Sequence, residues 1–234
     1  MDNIHHIQDL KNVAFVIQAR MTSKRFPGKV LAEFCGVPML YYQISLLKKN
    51  RMGLDIIVAT SKNKENDKIE ELCFKYNIKC VRGDEDNVIK RFYITAKIFS
   101  LDHIIRLTGD NPLPNLDLIR VCLNSHIKKL PDLTSTRRIF KDSSINRYVP
   151  KGLSIDVLNC ESLLNIDFSS LNKFEKEHVI PVFFREEYTV NIINDYKTNL
   201  QELSVDTMED YKRISSYAEN LLNNGQLLNT LGYN

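Results

Sequence analysis

Between residues 13 and 129, short apolar runs alternate with longer helical patterns, and this alternation constrains the fold more than any other feature. The first run is apolar at consecutive positions, which is typical of a strand buried on both faces. The predicted strands are 13–19, 54–61, 78–83 and 102–112, and the predicted helices are 37–50, 64–77, 84–99 and 115–129. Repeated strand–helix units predict a three-layer α/β fold with a mostly parallel sheet.

Local signals indicate where these helices begin. Pro38 is suited to the first turn of its helix, because a residue there needs no backbone N–H donor. The acidic residues at 84–86 are favourable at the N-terminus of the next predicted helix, where the helix dipole is positive. Asn115 has the side chain of a typical N-cap.

The alternation weakens after residue 131. We expect a strand pair or one bent strand at 148–159, a helix at 174–186 broken near Pro181, and a strand at 188–194. A short strand at Leu203–Val205 and an amphipathic helix close the chain. No linker rich in Gly, Pro or Ser divides it, so we predict a flexible tail at 1–12 and one domain at 13–234. The less regular part, about 131–195, is an excursion from that domain.

Composition narrows the class of protein. The net charge of +3 is too small to indicate nucleic-acid binding. The five cysteines are odd in number and form no CxxC pair, which indicates reduced thiols rather than a disulfide framework or a zinc site. No apolar run approaches the roughly 20 residues that span a bilayer, and the N-terminus has no signal-peptide core. We therefore expect a cytoplasmic protein that binds neither nucleic acid nor membrane.

A basic loop follows the first predicted strand. Within "QARMTSKRFPGK" lie four cations, Arg20, Lys24, Arg25 and Lys29, and Pro27-Gly28 prevents them from forming one helix face. Glycine permits a turn whose exposed N–H groups bind anions, while arginine and lysine bind phosphate oxygens. These features predict a triphosphate site, with a solvated basic turn as the competing interpretation.

Two carboxylates are predicted at strand ends. Asp110 follows the fourth strand in "TGDNP", and Asp206 follows the short strand in "SVDTMED". Ligands of parallel sheets bind beyond the carboxyl ends of the strands, where a carboxylate pair with phosphates suits Mg²⁺. Each aspartate could instead have a structural role and bind no metal. Asp110 could simply form a turn, as aspartate often does. Thr207 with Asp210 is also typical of a capping box.

Six segments together resemble a known family. "QARMTSKRFPGKVL", "RGDEDNVIKRF", "IRLTGDNPL", "YVPKGLSIDVL", "EKEHVIP" and "LSVDTMEDY" resemble, in order and spacing, the cytidylyltransferase family that includes spore coat polysaccharide biosynthesis protein F. That family is similar to the acylneuraminate and 3-deoxy-manno-octulosonate cytidylyltransferases. The resemblance covers about residues 13–222 and implies a GT-A-like, Rossmann-like nucleotidyltransferase fold.

The resemblance also implies a reaction, in which an acceptor oxygen attacks the α-phosphorus of CTP and pyrophosphate leaves. It implies an Mg²⁺ cofactor, a small anionic acceptor such as a sugar acid or a phosphorylated metabolite, and a homodimer with contacts in the excursion. The product would serve surface polysaccharide, capsule or glycoconjugate synthesis. The open alternatives are a GT-A-fold glycosyltransferase using a nucleotide-sugar and a non-catalytic anion-binding module.

Residue roles follow from the same resemblance. The implied nucleotide contacts are Gln18, Ala19, Arg20, Ser23, Arg25, Gly28, Lys29, Arg82, Gly109 and Asp110. The implied acceptor contacts are Asp86, Arg91, Gly152, Asp156, Glu177 and His178, with His178 either a general base or a non-catalytic contact. The implied metal ligands are Asp110 and Asp206, which with Arg20 and Lys29 form the catalytic set. The chain departs from the family pattern at several positions, which are Thr22, Lys24, Phe26, Asp156 and Lys176.

Overall fold

The computed structural model describes residues 12–49 and 52–233. The strands are β1 Val13–Gln18, β2 Glu33–Phe34, β3 Val37–Pro38, β4 Asp55–Ser61, β5 Lys79–Gly83, β6 His103–Thr108, β7 Leu133–Ser135, β8 Arg137–Ile139, β9 Ile145–Arg147, β10 Asp156–Asn159 and β11 Val190–Ile192. The α-helices are α1 Met39–Lys48, α2 Asp67–Lys75, α3 Val88–Phe99, α4 Leu116–Lys129, α5 Cys160–Leu164, α6 Lys173–His178, α7 Met208–Asn223 and α8 Leu227–Thr230. The predicted tail at 1–12 lies, apart from Asn12, outside the described residues.

Seven strands form the central sheet in the order β11-β7-β10-β6-β1-β4-β5. Every neighbouring pair is parallel except the two that include β10, which is antiparallel to β6 and β7. The chain adds β4 and β5 on one side of β1 and then returns to place β6 on the other side. The carboxyl ends of β1 and β6 therefore form a topological switch point, where sheets of this kind bind ligands. The predicted α/β sheet is confirmed.

The core lies on both faces of the sheet. Along β1, Phe15 and Ile17 belong to one buried apolar cluster, and Ala14 and Val16 belong to the other. Alternate residues of a strand point to opposite faces, so β1 is buried on both sides, as its sequence predicts. Helices cover each face, which confirms the three-layer arrangement.

One of the three predicted helix starts agrees with the structure and two differ. Asn115 caps α4 by accepting a hydrogen bond from the N–H of Leu118, as predicted. However, α3 begins at Val88 with no acid in its first turn, because the carboxylate of Asp84 accepts hydrogen bonds from two backbone N–H groups and forms a separate turn. Pro38 precedes the first turn of α1 instead of lying within it.

The predicted helix at 174–186 is broken at Val179, with φ 69°, close to Pro181 as expected. Two other predictions in the second half need correction. The segment 148–159 contains only the strand β10. Leu203–Val205 is not a strand. Its backbone instead bonds to two loops, with the N–H of Leu203 donating to the carbonyl of Lys151 and that of Val205 to the carbonyl of Asp110.

Other sequence-based expectations are consistent with the structure. All five cysteines are unpaired. No helix of the described chain is both long and apolar enough to cross a membrane. Thr207 and Asp210 form a complete capping box at the start of α7.

Candidate active site

A cleft of about 1270 Å³ opens at the carboxyl ends of β1 and β6. Its walls include most of the residues predicted for the site, which are Gln18, Ala19, Arg20, Ser23, Arg25, Gly28, Lys29, Asp86, Arg91, Gly109, Asp110, Glu177, His178 and Asp206. The segment containing Asp206 reaches the cleft although it is not a strand, because the bond from the N–H of Val205 to the carbonyl of Asp110 brings the two aspartates together.

Two glycines shape the floor and the loop. The N–H of Gly109 donates to the carbonyl of Gln18 at 2.8 Å, and a Cβ at Gly109 would lie 3.1 Å from the Cβ of Ala19. Gly28 has φ 74°, a left-handed conformation that suits glycine, and directly precedes a short 3-10 helix, Lys29–Leu31. That turn directs the Lys29 side chain inward.

Lys29 lies at the centre of the site, and its side chain is 8% exposed. Its Nζ donates to Asp110 Oδ2 at 3.0 Å, to Asp206 Oδ1 at 3.3 Å and to the carbonyl oxygen of Val205 at 2.6 Å. All three donor positions of the ammonium are therefore used by the protein itself.

Two further cations contact Asp206. Arg25 forms an ion pair with Asp206 Oδ2 at 3.0 Å, and Lys151 donates a hydrogen bond to the same oxygen. Burial raises the pKa of this carboxyl, but hydrogen bonds and charge from Lys151 and Lys29 outweigh burial and lower the pKa to about 2. Asp206 is therefore ionised at neutral pH.

The two aspartates can hold a divalent metal together with substrate. Both carboxylates contact one ammonium group, so they converge on a common point of the cleft. In the part of the chain that the structure describes, no group of three or more His, Cys, Asp or Glu side chains could hold a metal. A carboxylate pair still fits Mg²⁺, which takes one or two protein carboxylates and completes its shell with phosphate oxygens and water.

Arg20 lies between two acids that line the cleft, Glu85 and Glu177. Its guanidinium is 3.7 Å from Glu85 Oε1 and 3.5 Å from Glu177 Oε1. Both distances are longer than a hydrogen bond, and the side chain is 41% exposed. Arg20 is thus oriented by charge yet accessible to an anionic ligand.

A hydrogen-bond network braces the basic loop from outside. The N–H of Met21 donates to Asn66 Oδ1 at 2.8 Å, and Asn66 is fully buried. Its Nδ2 donates to Ser61 Oγ at 2.7 Å and to Glu85 Oε2 at 3.3 Å. The hydroxyl of Thr22 donates to Glu85 Oε1 at 2.6 Å. Thr22, a departure from the family pattern, thus adds a contact that glycine could not make.

Asp156 is a correction to the expected acceptor contacts. It is fully buried behind the cleft, where it accepts hydrogen bonds from Arg106 at 2.7 Å, Arg137 at 2.5 Å and Ser135 at 2.7 Å. The other arm of Arg106 donates to Gln18 Oε1 at 2.9 Å. Asp156 therefore holds an arginine that orients Gln18, and does not itself line the cleft.

Arg82 and Gly152 also lie away from the cleft. The Arg82 guanidinium pairs with Asp67 and Glu70, each at 2.7 Å, and its Nε donates to the carbonyl of Ser61. Gly152 has φ 95°, and a Cβ there would lie 2.4 Å from the backbone at residues 203–204. Both residues have structural roles that their motifs do not distinguish from ligand contacts.

Arg91 and His178 line the same cleft as the aspartates. Arg91 is 2% exposed, and burial lowers its pKa to about 10, so its guanidinium stays charged at neutral pH. For His178, partial burial lowers the pKa, Glu177 opposes this, and the cations Arg106, Arg137 and Arg20 lower it further. The imidazole therefore favours the neutral form.

Sequence reasoning missed several residues of the site. Four charged residues line the cleft although the sequence analysis did not assign them to the site. They are Glu65, Lys68, Glu85 and Lys173. Lys151 and Asn66 contact site residues from loops distant in sequence. Glu85 and Lys151 stand within quoted motifs, which is the signal that could have found them. Asn66 has no comparable signal.

The mostly parallel sheet, the cleft at its switch point and the basic loop define an α/β nucleotidyltransferase. A family model described as "Cytidylyltransferase" matches residues 14–224, and the chain belongs to that family. The expected resemblance, fold and enzyme class are confirmed, and the alternative of a non-catalytic module is wrong.

Two sequence relatives cover most of the chain. An uncharacterised protein of Methanocaldococcus jannaschii is 34% identical over 84% of this chain and 79% of its own length. Spore coat polysaccharide biosynthesis protein SpsF of Bacillus subtilis is 29% identical over 88% of this chain and 86% of its own.

Solved structures agree with the fold. A cytidylyltransferase from Leptospira borgpetersenii has a TM-score of 0.78 and 25% identity, covering 92% of this chain and 96% of that one. A CMP:2-keto-3-deoxy-manno-octonic acid synthetase complexed with CTP has a TM-score of 0.70 and 15% identity, covering 90% and 99%. The second likeness concerns the fold alone.

Proposed function

We propose that this protein is an Mg²⁺-dependent cytidylyltransferase that transfers CMP from CTP to a small anionic acceptor and releases pyrophosphate. The acceptor class is a sugar acid or a phosphorylated small metabolite, and the product serves surface polysaccharide or glycoconjugate synthesis. The observation that carries the proposal is the convergence of Lys29, Asp110 and Asp206 beneath the basic loop at the β1–β6 switch point. Family membership favours nucleotidyl transfer over the glycosyltransferase alternative.

The basic residues bind the triphosphate and neutralise the departing pyrophosphate. Lys29 is fixed at the floor, while Arg25 and Arg20 have exposed guanidinium groups that can grip phosphate oxygens. Nucleotidyl transfer needs positioning and charge stabilisation rather than a protein nucleophile, so a site built from cations and carboxylates suits it.

Asp110 and Asp206 would hold the metal in this proposal. When bound, Mg²⁺ supplies charge neutralisation at the phosphates and a template for in-line attack. The two carboxylates would provide two of its oxygen ligands, and the nucleotide would provide others. Lys151 and Lys29 lower the pKa of Asp206 and keep it ionised, and Lys151 and Arg25 orient it until substrate arrives.

The acceptor occupies the wall formed by α6 and the start of α3. Glu177, His178, Arg91 and Asp86 line this side of the cleft. The side-chain oxygen Oε1 of Gln18 accepts a hydrogen bond from Arg106, so the side-chain N–H₂ of Gln18 can donate to an acceptor oxygen. An acceptor that attacks through a carboxylate or phosphate oxygen is already an anion and needs no general base, so His178 would then act as a neutral contact. An acceptor that attacks through a hydroxyl must lose a proton, which the neutral imidazole of His178 would accept.

The proposal also includes a cytoplasmic homodimer with contacts in residues 131–195. The hairpin of β8 and β9 in this segment exposes Phe140 by 47% and Ile145 by 39%, which suits an interface. Light scattering on the purified protein measures the dimer directly. A monomer at micromolar concentration would remove this element of the proposal without affecting the chemistry.

The reaction is tested by pyrophosphate release. The enzyme is assayed with CTP, UTP, GTP or ATP plus Mg²⁺ against a panel of sugar acids and phosphorylated metabolites, with Asp110→Asn alongside. We expect release with CTP and one acceptor, lost in the variant. Release that depends on another triphosphate would contradict the assignment to CTP, and full release by Asp110→Asn would contradict the metal site.

A further inference from the structure

The proposed metal ligands already have cationic partners within the protein. Asp110 contacts Lys29, and Asp206 contacts Lys29, Arg25 and Lys151. Three cations against two carboxylates leave a net charge of +1 at this cluster. A free divalent cation is therefore repelled from its own ligands, whereas a triphosphate is attracted.

Lys29 is held in this position and is not a mobile surface lysine. Its side chain is 8% exposed, and its third hydrogen bond goes to the carbonyl of Val205 at 2.6 Å. A compact ammonium between two carboxylates occupies the point on which they converge. A metal ion that used one oxygen of each carboxylate would compete with Lys29 for the same lone pairs.

The carboxylates lack protein partners that would complete a metal shell. No third acid, histidine or cysteine among residues 12–49 and 52–233 joins them in a group that could hold a metal. Mg²⁺ dehydrates reluctantly and needs about six oxygen ligands. Two carboxylates that are already paired with three cations should therefore bind it only weakly. The missing negative charge and oxygen ligands must come from the substrate.

We propose that Lys29 is an internal cation that keeps the metal site closed until the triphosphate binds. The phosphate oxygens attract Lys29, Arg25 and Lys151 away from the carboxylates, and the metal then enters with the nucleotide. The inference rests on the proposed function for the identity of the anion. Its core statement concerns the protein alone: the site excludes a divalent metal because Lys29 is present.

The test uses Mn²⁺ alone as the probe, followed by electron paramagnetic resonance or calorimetry, because Mn²⁺ takes the same oxygen ligands as Mg²⁺. We expect no binding to the wild type at Mn²⁺ concentrations up to millimolar. Lys29→Met should bind Mn²⁺ at least about tenfold more tightly, since removal of one charge beside the carboxylates removes repulsion. Lys29→Arg keeps the charge and should behave as the wild type.

A second variant and a matched control keep the test decisive. Arg25→Met removes one charge from an exposed side chain that contacts Asp206, so it should fold normally and gain part of the Mn²⁺ affinity. Lys24→Met removes a cleft lysine that makes no ion pair in the described chain and should gain none. Adding Asp206→Asn to Lys29→Met should abolish the gain.

The outcomes separate this inference from the proposed function. Tight Mn²⁺ binding by the wild type without nucleotide would overturn the inference, as would no gain in a folded Lys29→Met. If Lys29→Met does not fold, no gain in Arg25→Met would overturn it. With a non-hydrolysable CTP analogue present, the wild type should bind Mn²⁺ in excess of what the analogue binds in protein-free solution. If the analogue does not bind but Lys29→Met gains the metal, the inference stands and the proposed substrate is wrong.

Discussion

Lys29 is the side chain on which both cleft carboxylates converge, so its loss should affect turnover most directly. We expect Lys29→Ala and Asp110→Asn each to reduce pyrophosphate release about a hundredfold, the usual cost of one charge-assisted transition-state contact. Steady-state assays with CTP and the identified acceptor measure the effect.

Lys90→Ala is the matched control for these variants, because this exposed lysine of α3 does not line the cleft. It should retain wild-type turnover, and circular dichroism should show the same fold for all three variants. Turnover near wild type in Lys29→Ala would remove that residue from the catalytic set.

Thr22 provides a test of the loop brace. Thr22→Val removes only the hydroxyl that bonds Glu85, and it should weaken CTP binding about fivefold because the basic loop loses a charge-assisted hydrogen bond. Thr22→Ser keeps the donor and should bind as the wild type does. Calorimetry decides the matter, and equal affinities for all three proteins would show that the brace does not position the loop.

At the residue scale, sequence reasoning found the charges but not their partners. Lys29 and Asp110 could be predicted because each follows a strand or turn that the sheet topology brings to one edge. Asp206 reaches the same cleft through the loop contacts of Leu203–Val205 and not through the predicted strand. The structural roles of Arg82 and Asp156 could not be predicted, because each is paired with oppositely charged side chains that become neighbours only in the folded chain. The sequence of a motif does not show whether its charged side chain contacts a substrate or an oppositely charged residue of the protein.

At the scale of elements, α7 couples helix stability to the site. Thr207 caps the helix, and Asp210 of the same capping box also accepts the N–H of Asp206. Thr207→Ala should lower the free energy of unfolding by about 1 kcal/mol, as loss of an N-cap does. Urea denaturation measures it. Ser216→Ala, at an exposed position within α7, should change it little, and an equal loss in both variants would contradict the capping role.

Element boundaries show which local signals are reliable. The caps at Asn115 and Thr207 were predictable because each needs only residues three positions apart. The segment Leu203–Val205 has a strand-like sequence, but its N–H groups find partners in loops rather than in a neighbouring strand. Pairing of this kind depends on distant parts of the chain and has no local pattern.

At the scale of the whole molecule, a buried histidine pair should make the fold sensitive to acid. His126 Nε2 lies 3.1 Å from His103 Nδ1, and burial followed by repulsion from His103 lowers the pKa of His126 to about 3. In the unfolded chain its pKa is about 6.5. The unfolded state therefore binds more protons between these values, and stability should fall as the pH falls from about 6.5 towards 3.

Thermal unfolding across this pH range measures the effect. His126→Gln removes one titrating group and should flatten the decline, even if the variant is less stable at neutral pH. A decline of unchanged slope in this variant would assign the acid sensitivity to other groups.

The large-scale architecture was the most predictable part. Four strand–helix units dictate parallel crossovers, and the switch at β1 and β6 follows once the sheet forms. The antiparallel β10 and its position between β6 and β7 were not predictable, because the intervening segment lacks the alternation that defines the first half.

The most direct test of the central claim is binding of CTP, which requires no knowledge of the acceptor. Calorimetry is performed with CTP and with UTP, GTP and ATP, each with and without Mg²⁺, on the wild type and on Asp110→Asn. The account predicts selective CTP binding that is tighter with Mg²⁺, and loss of the Mg²⁺ effect in the variant. Absence of CTP binding under all conditions would contradict it.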